Sequence, residues 1–188
     1  MSAGRALARW GVVAWYVSAL YLAIPYVPRW WNATQALTGV SFDLLALLPL
    51  AAIGGLVVAA ATWRSGADLL TLLALTALGG IYYYLSTRVF VSPIENLHLI
   101  EYGLLSWILW WAWRPAGTSL ARPIAGVWLL NAAVGATDEL IQHYTPGRFG
   151  EFRDVVINWQ SAALGLAVLL VLMAPWKGTA RALPGAGG

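Results

Sequence analysis

Residues 138–165 read DELIQHYTPGRFGEFRDVVINWQSAALG, and they join the end of one apolar segment to the start of another. Four of the chain's eight Asp and Glu residues lie in this stretch, although only 10% of all residues are charged. A carboxylate at the centre of a membrane helix costs about 2.5 to 3.5 kcal/mol to insert. We therefore expect these side chains to be paired, hydrated or functional, and the helices to be arranged around them.

The composition predicts an integral membrane protein. The chain has 188 residues, 60% of them hydrophobic, with twelve Trp and a mean hydropathy of +0.70, which is too apolar for an ordinary soluble domain. The absence of Cys excludes disulfides, thiolate metal sites and thiol nucleophiles. The small net charge of +3 gives no reason to expect a nucleic-acid partner. We expect one all-α transmembrane domain over residues 1–188.

Six apolar segments are long enough to span a bilayer, and they predict a bundle of about six transmembrane helices. They cover residues 7–27, 43–63, 68–87, 93–113, 123–142 and 154–173. The very short link at 64–67 predicts a helical hairpin over 43–87, in which Gly54, Gly55, Gly79 and Gly80 would let helices approach closely. Residues 28–41 contain Trp30 and Trp31 and are predicted to form an interfacial loop, more typical of an aromatic anchor than of a binding lip. Residues 176–188 are predicted to be a disordered tail.

The distribution of basic residues predicts the orientation. Six spans place both termini on one side, and that side would hold Arg5, Arg9, Arg64, Arg114, Arg122, Lys177 and Arg181, against Arg29, Arg88, Arg148 and Arg153 on the other. By the positive-inside rule both termini are cytoplasmic. Seven of the eight acids then lie near the outer ends of helices, where the starts of the fourth and sixth helices should meet the end of the fifth.

Polar side chains share one face on each of these helices. Glu95, His98 and Glu101 fall on one face at the start of the fourth helix, with Tyr102 one turn beyond the His. In the sixth helix, the spacing i, i+4, i+7, i+11 aligns a stripe that must face protein, because lipid would leave its polar groups unpaired. That stripe consists of Asp154, Asn158, Ser161 and Gly165.

The loop at Pro146 and Gly147 is expected to bring an arginine over the end of the fifth helix. Asp138 and Gln142 lie one turn apart in that helix, and Arg148 follows six residues later. We therefore predict a polar cap in which Arg148 covers the carboxylates.

Together these motifs resemble the VanZ-like family of membrane proteins. The residues that carry the resemblance are His98, Glu101, Tyr102, Asp138, Glu139, Gln142, Arg148, Asp154, Asn158 and Gly165. It covers residues 93–173 as a VanZ-like core, to which the hairpin at 43–87 would be an addition. The chain departs from the family at Ser161, where Gly is usual, and at Glu95, which replaces a Lys. The resemblance implies a bacterial cytoplasmic-membrane protein, some of whose relatives are linked to teicoplanin resistance, but it implies no particular reaction.

The polar residues support three interpretations. The leading one is a site that binds or modifies a cell-envelope lipid or lipid-linked precursor at the outer leaflet. The second is an acid-base enzyme on lipid-linked substrates, and the third is a structural accessory subunit that binds another membrane protein. The candidate catalytic residues are His98, Glu101, Asp138 and Glu139. The candidate binding residues are Glu95, His98, Glu101, Tyr102, Asp138, Glu139, Gln142, Arg148, Asp154 and Asn158.

A metal site is the weaker interpretation of the same residues. Glu95 and His98 have the Glu-x-x-His spacing of di-iron carboxylate bundles. Such bundles need a second copy of this motif, and the chain holds only one. The sequence thus predicts no metal and no cofactor.

Overall fold

The computed structural model describes residues 3–65, 69–91, 93–113 and 120–173, and every regular element in these ranges is helical. The seven α-helices are α1 (Ala3–Ala23), α2 (Val27–Thr38), α3 (Phe42–Ser65), α4 (Leu69–Tyr84), α5 (Asn96–Trp113), α6 (Ala121–Tyr144) and α7 (Phe152–Met173). A π-helical turn, Leu85–Val89, extends α4, and a 3-10 turn, Pro93–Glu95, leads into α5. The link at 66–68 and the predicted tail at 176–188 lie outside the described residues.

Four of the described helices are long and apolar enough to cross a membrane. They are Ala3–Ala23, Leu69–Val89, Ala121–Tyr144 and Phe152–Met173, and Leu47–Trp63 is a shorter apolar stretch within α3. The α5 helix does not qualify because its first turns carry Asn96, His98 and Glu101 among the apolar residues. The all-α membrane architecture is thus confirmed, whereas the count of six spans is not.

The predicted interfacial loop at 28–41 is wrong, because most of it forms α2. Pro28 occupies the first turn of this helix, where its missing N–H and fixed φ are tolerated. Gly39 ends it in the left-handed conformation, with φ 65°, and its N–H bonds to the carbonyl of Gln35. Pro in the first turn and Gly just past the last are ordinary signals of helix ends, so the boundaries of α2 could be predicted from these two residues.

The close helix contact forms at other glycines than those predicted. A β-carbon built on any of Gly54, Gly55, Gly79 and Gly80 would meet no described neighbour within 4 Å. On Gly165 it would lie 2.5 Å from the α-carbon of Gly103. The backbones of α5 and α7 therefore touch, and this contact supports the prediction that the α7 stripe faces protein.

The core lies among α5, α6 and α7, with α1 packed against them. Its buried members are Val13, Tyr102, Leu105, Leu109, Trp110, Ala112, Val127, Ala162 and Leu166. Most large apolar side chains of α1, α3 and α4 are exposed, as expected for surfaces that face lipid. The three central helices thus bury the polar residues between them.

Candidate functional site

The start of α5, the end of α6 and the start of α7 meet at one end of the bundle, as predicted. Hydrogen bonds there join α5 to α6, α6 to α7, and α7 to the turn before α5. The predicted site residues Glu95, His98, Tyr102, Asp138, Glu139, Gln142 and Asn158 are all buried, and Glu101, Arg148 and Asp154 are partly exposed. The structure therefore gathers all ten residues around one place, which we call the polar cluster.

Asp138 is the centre of one half of the polar cluster. Its Oδ2 accepts a 2.8 Å hydrogen bond from Tyr102 Oη and a 3.1 Å bond from Gln142 Nε2. Gln142 in turn accepts a short hydrogen bond from Arg148 Nη2 through its Oε1. The amide of Gln142 thus connects the loop arginine to a carboxylate that is only 5% exposed.

Glu139 is the centre of the other half. Its Oε1 accepts bonds from Asn158 Nδ2 and Gln142 Nε2, each 3.3 Å long, and its Oε2 accepts the backbone N–H of Glu151 at 3.4 Å. The loop packs so tightly here that a β-carbon on Gly150 would lie 2.1 Å from the carbonyl oxygen of Glu139. Glycine is required at that position because nothing larger fits.

The arginine that pairs with carboxylates is Arg153 and not Arg148. Arg153 Nη2 lies 2.5 Å from Glu95 Oε1 and 3.5 Å from Asp154 Oδ1. Within the described residues no carboxylate oxygen lies within 4.0 Å of Arg148, whose partner is the neutral amide of Gln142. Arg148 does fold back beside Asp138 and Glu101, which line the same cleft, but it is held there through Gln142 and not by an ion pair. The ion pair joins Arg153 on α7 to Glu95 in the turn before α5.

His98 is buried in the polar cluster, with 7% of its surface exposed. Its ring stacks on Tyr102 with 5.9 Å between ring centroids, and its Nδ1 lies 3.8 Å from Glu101 Oε2, too far for a hydrogen bond. A ring nitrogen of His98 also lies within 4.8 Å of carboxylate oxygens of Glu139 and Asp154, which lie equally close to each other. Three potential metal ligands thus converge from three helices.

Two buried residues that support the polar cluster were missed. Asn131 Nδ2 donates to the Tyr102 carbonyl at 2.8 Å and to Ser106 Oγ at 2.7 Å. Ser106 Oγ lies 2.9 Å from the carbonyl of Ala162, to which it donates. For Asn131 the sequence does carry a signal, because Asn131, Asp138 and Gln142 follow the spacing i, i+7, i+11 and so share one face of α6.

Two cavities lie side by side at this end of the bundle. The polar cleft has a volume of about 30 Å³ and is lined by Leu20, Ile24, Val27, Ile94, Leu97, His98, Glu101, Asp138, Gln142 and Arg148. The apolar groove has about 260 Å³ and is lined by Val27, Trp30, Trp31, Thr34, Leu45 and Leu97. Val27 and Leu97 belong to both linings. One wall therefore separates a polar space from an apolar one.

The model of the VanZ/LLP1 family matches residues 12–173 of the chain. The matched range contains all ten residues of the polar cluster and both cavities. No curated protein and no solved structure gives a significant match to the chain.

Proposed function

Because this chain belongs to the VanZ/LLP1 family of membrane proteins, we propose that its polar cluster binds the head group of a cell-envelope lipid or lipid-linked precursor. The protein would act in the bacterial cytoplasmic membrane, with the polar cluster at the depth of the outer leaflet. The charge distribution of the sequence supports that orientation.

The observation that carries this proposal is the shared wall of the two cavities. An amphiphile needs a polar space for its head and an apolar space for its chain, a few ångströms apart. The polar cleft and the apolar groove offer this pair, and Val27 and Leu97 border both. Trp30 and Trp31 line the groove on α2, where indole rings suit the boundary between hydrocarbon and head groups.

Arg148 is the group best placed to bind a phosphate. Its guanidinium has five N–H donors, and among the described residues it donates to Gln142 Oε1 alone. Guanidinium and phosphate form strong bidentate hydrogen bonds. The polar cleft itself has the volume of about one water molecule, so a head group larger than this would bind with Arg148 displaced outward.

A direct test is to purify the chain in a mild detergent and identify the lipids that leave with it by mass spectrometry. We expect enrichment of a phosphate-containing lipid over the bulk membrane composition, and loss of that enrichment in Arg148→Gln. Arg88→Gln is the matched control, because Arg88 is exposed and lines neither cavity. Equal lipid content in all three proteins would contradict the proposal and favour the accessory-subunit interpretation.

The same proposal predicts selectivity between glycopeptide antibiotics. Teicoplanin carries an acyl chain that holds it at the outer leaflet, whereas vancomycin lacks one. A protein that binds lipid-linked groups at that depth would alter the action of the acylated drug more. Expression in a susceptible Gram-positive host should raise tolerance to teicoplanin and barely change tolerance to vancomycin, and Arg148→Gln should remove the difference. Equal tolerance to both drugs would contradict this part of the proposal.

A second candidate function is acid-base catalysis on the bound lipid. His98, Glu101 and Asp138 all line the polar cleft, so each could reach a bound head group. Glu139, the fourth catalytic candidate, does not line the cleft and is held instead by Asn158 and the Glu151 backbone. If catalysis occurs, Glu101→Gln should retain the co-purified lipid but abolish its turnover.

A further inference from the structure

The polar cluster and the residues that flank it contain more carboxyl groups than arginines. The cluster holds Arg148 and five carboxyl groups, and Arg153 and the exposed Glu151 lie beside it; the six carboxyl groups are those of Glu95, Glu101, Asp138, Glu139, Glu151 and Asp154. Arg153 is committed to Glu95 and Asp154, whereas Glu139 has no arginine or lysine nitrogen within 4.0 Å among the described residues. An ionised carboxylate that is buried without a partner is costly, and a bound cation would offset that cost.

His98 indicates where that cation would bind. Its Nδ1 is buried and has no hydrogen-bond partner, an arrangement that is rare for a buried polar group. A nitrogen of the same ring converges with one oxygen of Glu139 and one of Asp154, all within 4.8 Å of one another. One nitrogen of this buried imidazole and one oxygen of each carboxylate are therefore close enough together to share an ion.

We propose that His98, Glu139 and Asp154 bind a divalent transition-metal ion such as Zn²⁺ or Mn²⁺. One imidazole with two carboxylates is a donor set that suits these ions better than Mg²⁺ or Ca²⁺, which prefer oxygen alone. The pair indicated by the Glu-x-x-His spacing is not the one used, because both oxygens of Glu95 are engaged, Oε1 by Arg153 at 2.5 Å and Oε2 by the backbone N–H of Val91. Asp154 meets Arg153 through Oδ1 alone, at the longer distance of 3.5 Å. The ligands come instead from α5, α6 and α7.

The geometry requires only a small closure around the ion. Ligand atoms of a tetrahedral zinc site lie roughly 3.4 Å apart, and the three atoms here all lie within 4.8 Å of one another, so each separation needs to shorten by about 1.4 Å at most. Asn158 already orients Glu139 through a hydrogen bond to its Oε1, and Glu101 stands beside the imidazole. Carboxylates and amides in these positions commonly fix the ligands of a metal.

Three protein ligands leave a coordination position open for water or for another oxygen ligand. Of the three ligands only His98 lines the polar cleft, so a molecule in the cleft would approach the ion from the His98 side. A phosphate oxygen of a bound head group would then be the natural fourth ligand, and this last step alone rests on the proposed function. Metal binding itself requires no lipid.

The test is to measure metal content in the full chain, purified in detergent with an affinity tag free of histidine. After treatment with a chelator and dialysis against Zn²⁺ or Mn²⁺, we expect about one equivalent per chain by elemental analysis. Titration calorimetry should show that His98→Gln, Glu139→Gln and Asp154→Asn each bind the ion at least roughly 10-fold more weakly. The affinity for the metal ion should be the same in detergent without lipid as in detergent with lipid. A failure of the lipid-binding proposal would therefore leave this result unaffected.

Glu151→Gln is the matched control, because Glu151 is exposed and belongs to the same acidic cluster but not to the three ligands. It should bind the ion as the unaltered chain does. If the unaltered chain binds neither Zn²⁺ nor Mn²⁺, the proposal is overturned. This outcome does not depend on whether the variants fold. Equal loss of affinity in Glu151→Gln and in the three ligand variants would also overturn it, because general electrostatic attraction would then explain the binding.

Discussion

Tyr102 on α5 donates a 2.8 Å hydrogen bond to Asp138 on α6, and both residues are almost completely buried. Tyr102 is also a member of the hydrophobic core, and its ring stacks on His98. One side chain thus joins the packed core to the polar cluster. A change at Tyr102 should therefore affect stability and the site together.

Tyr102→Phe tests the energetic value of that bond. Removing the hydroxyl takes one donor from a buried carboxylate, so we expect the free energy of unfolding to fall by about 1 to 3 kcal/mol. In a double-mutant cycle, Asp138→Asn should cost less in the Tyr102→Phe background than alone, because the shared bond is already lost. Tyr83→Phe is the control, since Tyr83 is 66% exposed. Strict additivity of the two changes would show that the bond contributes nothing.

Gly165→Ala tests the contact between α5 and α7. The added methyl would lie 2.5 Å from the α-carbon of Gly103, so the helices must separate, and overpacking of this kind costs about 1 to 3 kcal/mol or more. Gly79→Ala should be neutral or stabilising, because its methyl meets no described neighbour within 4 Å and alanine favours helix. Thermal unfolding in detergent measures both variants. Similar midpoints for the two would contradict the packing described here.

Arg148 on the loop and Arg153 on α7 should differ in their effect on stability. Arg153→Gln removes the arginine that is paired with Glu95, whose side chain is only 8% exposed, and should destabilise the protein by about 1 to 3 kcal/mol. Arg148→Gln removes a bond to a neutral amide and should cost less, about 0.5 to 1.5 kcal/mol. Adding Glu95→Gln to Arg153→Gln should restore part of the loss. A larger effect at Arg148 than at Arg153 would support the original prediction of an arginine cap.

The orientation in the membrane can be tested with single cysteines, because the chain has none of its own. Phe149 and Leu120 are exposed and lie beyond opposite ends of α6. Phe149→Cys should react with a membrane-impermeant thiol reagent in intact cells, whereas Leu120→Cys should react only after lysis. The reverse pattern would place the polar cluster on the cytoplasmic side.

Most helices of the bundle could be predicted from the sequence because they are long apolar runs with recognisable boundaries. Pro93 opens the turn before α5, and α7 spans Phe152–Met173 where residues 154–173 were expected. The α2 helix was not predicted, because Arg29, Trp30 and Trp31 suggested a loop at the membrane interface and not the apolar periodicity of a helix. The α5 helix was predicted to cross the bilayer, but its polar first turns lower its hydropathy, and it is not among the four helices apolar enough to do so.

The membership of the polar cluster could also be predicted, because polar residues aligned on one face of an apolar helix must face protein. The hydrogen-bond and ion-pair partners within the polar cluster could not be predicted from the sequence. Arg148 and Arg153 are both close in sequence to several acids, and the choice of Glu95 by Arg153 depends on how α7 lies against the turn before α5. Nor does any spacing bring His98, Glu139 and Asp154 together, since each lies on a different helix.

The contact between Gly103 and Gly165 also determines which part of the molecule can move. Where two helices touch backbone to backbone, no layer of side chains lies between them that could slide or repack. We therefore expect α5 and α7 to move together as one rigid unit. The opposite wall of the polar cleft consists of Leu20, Ile24 and Val27, at the corner where α1 turns into α2. A molecule diffusing in the plane of the bilayer would therefore reach the polar cleft laterally, by displacing this corner of α1 and α2 while α5 and α7 stay in place.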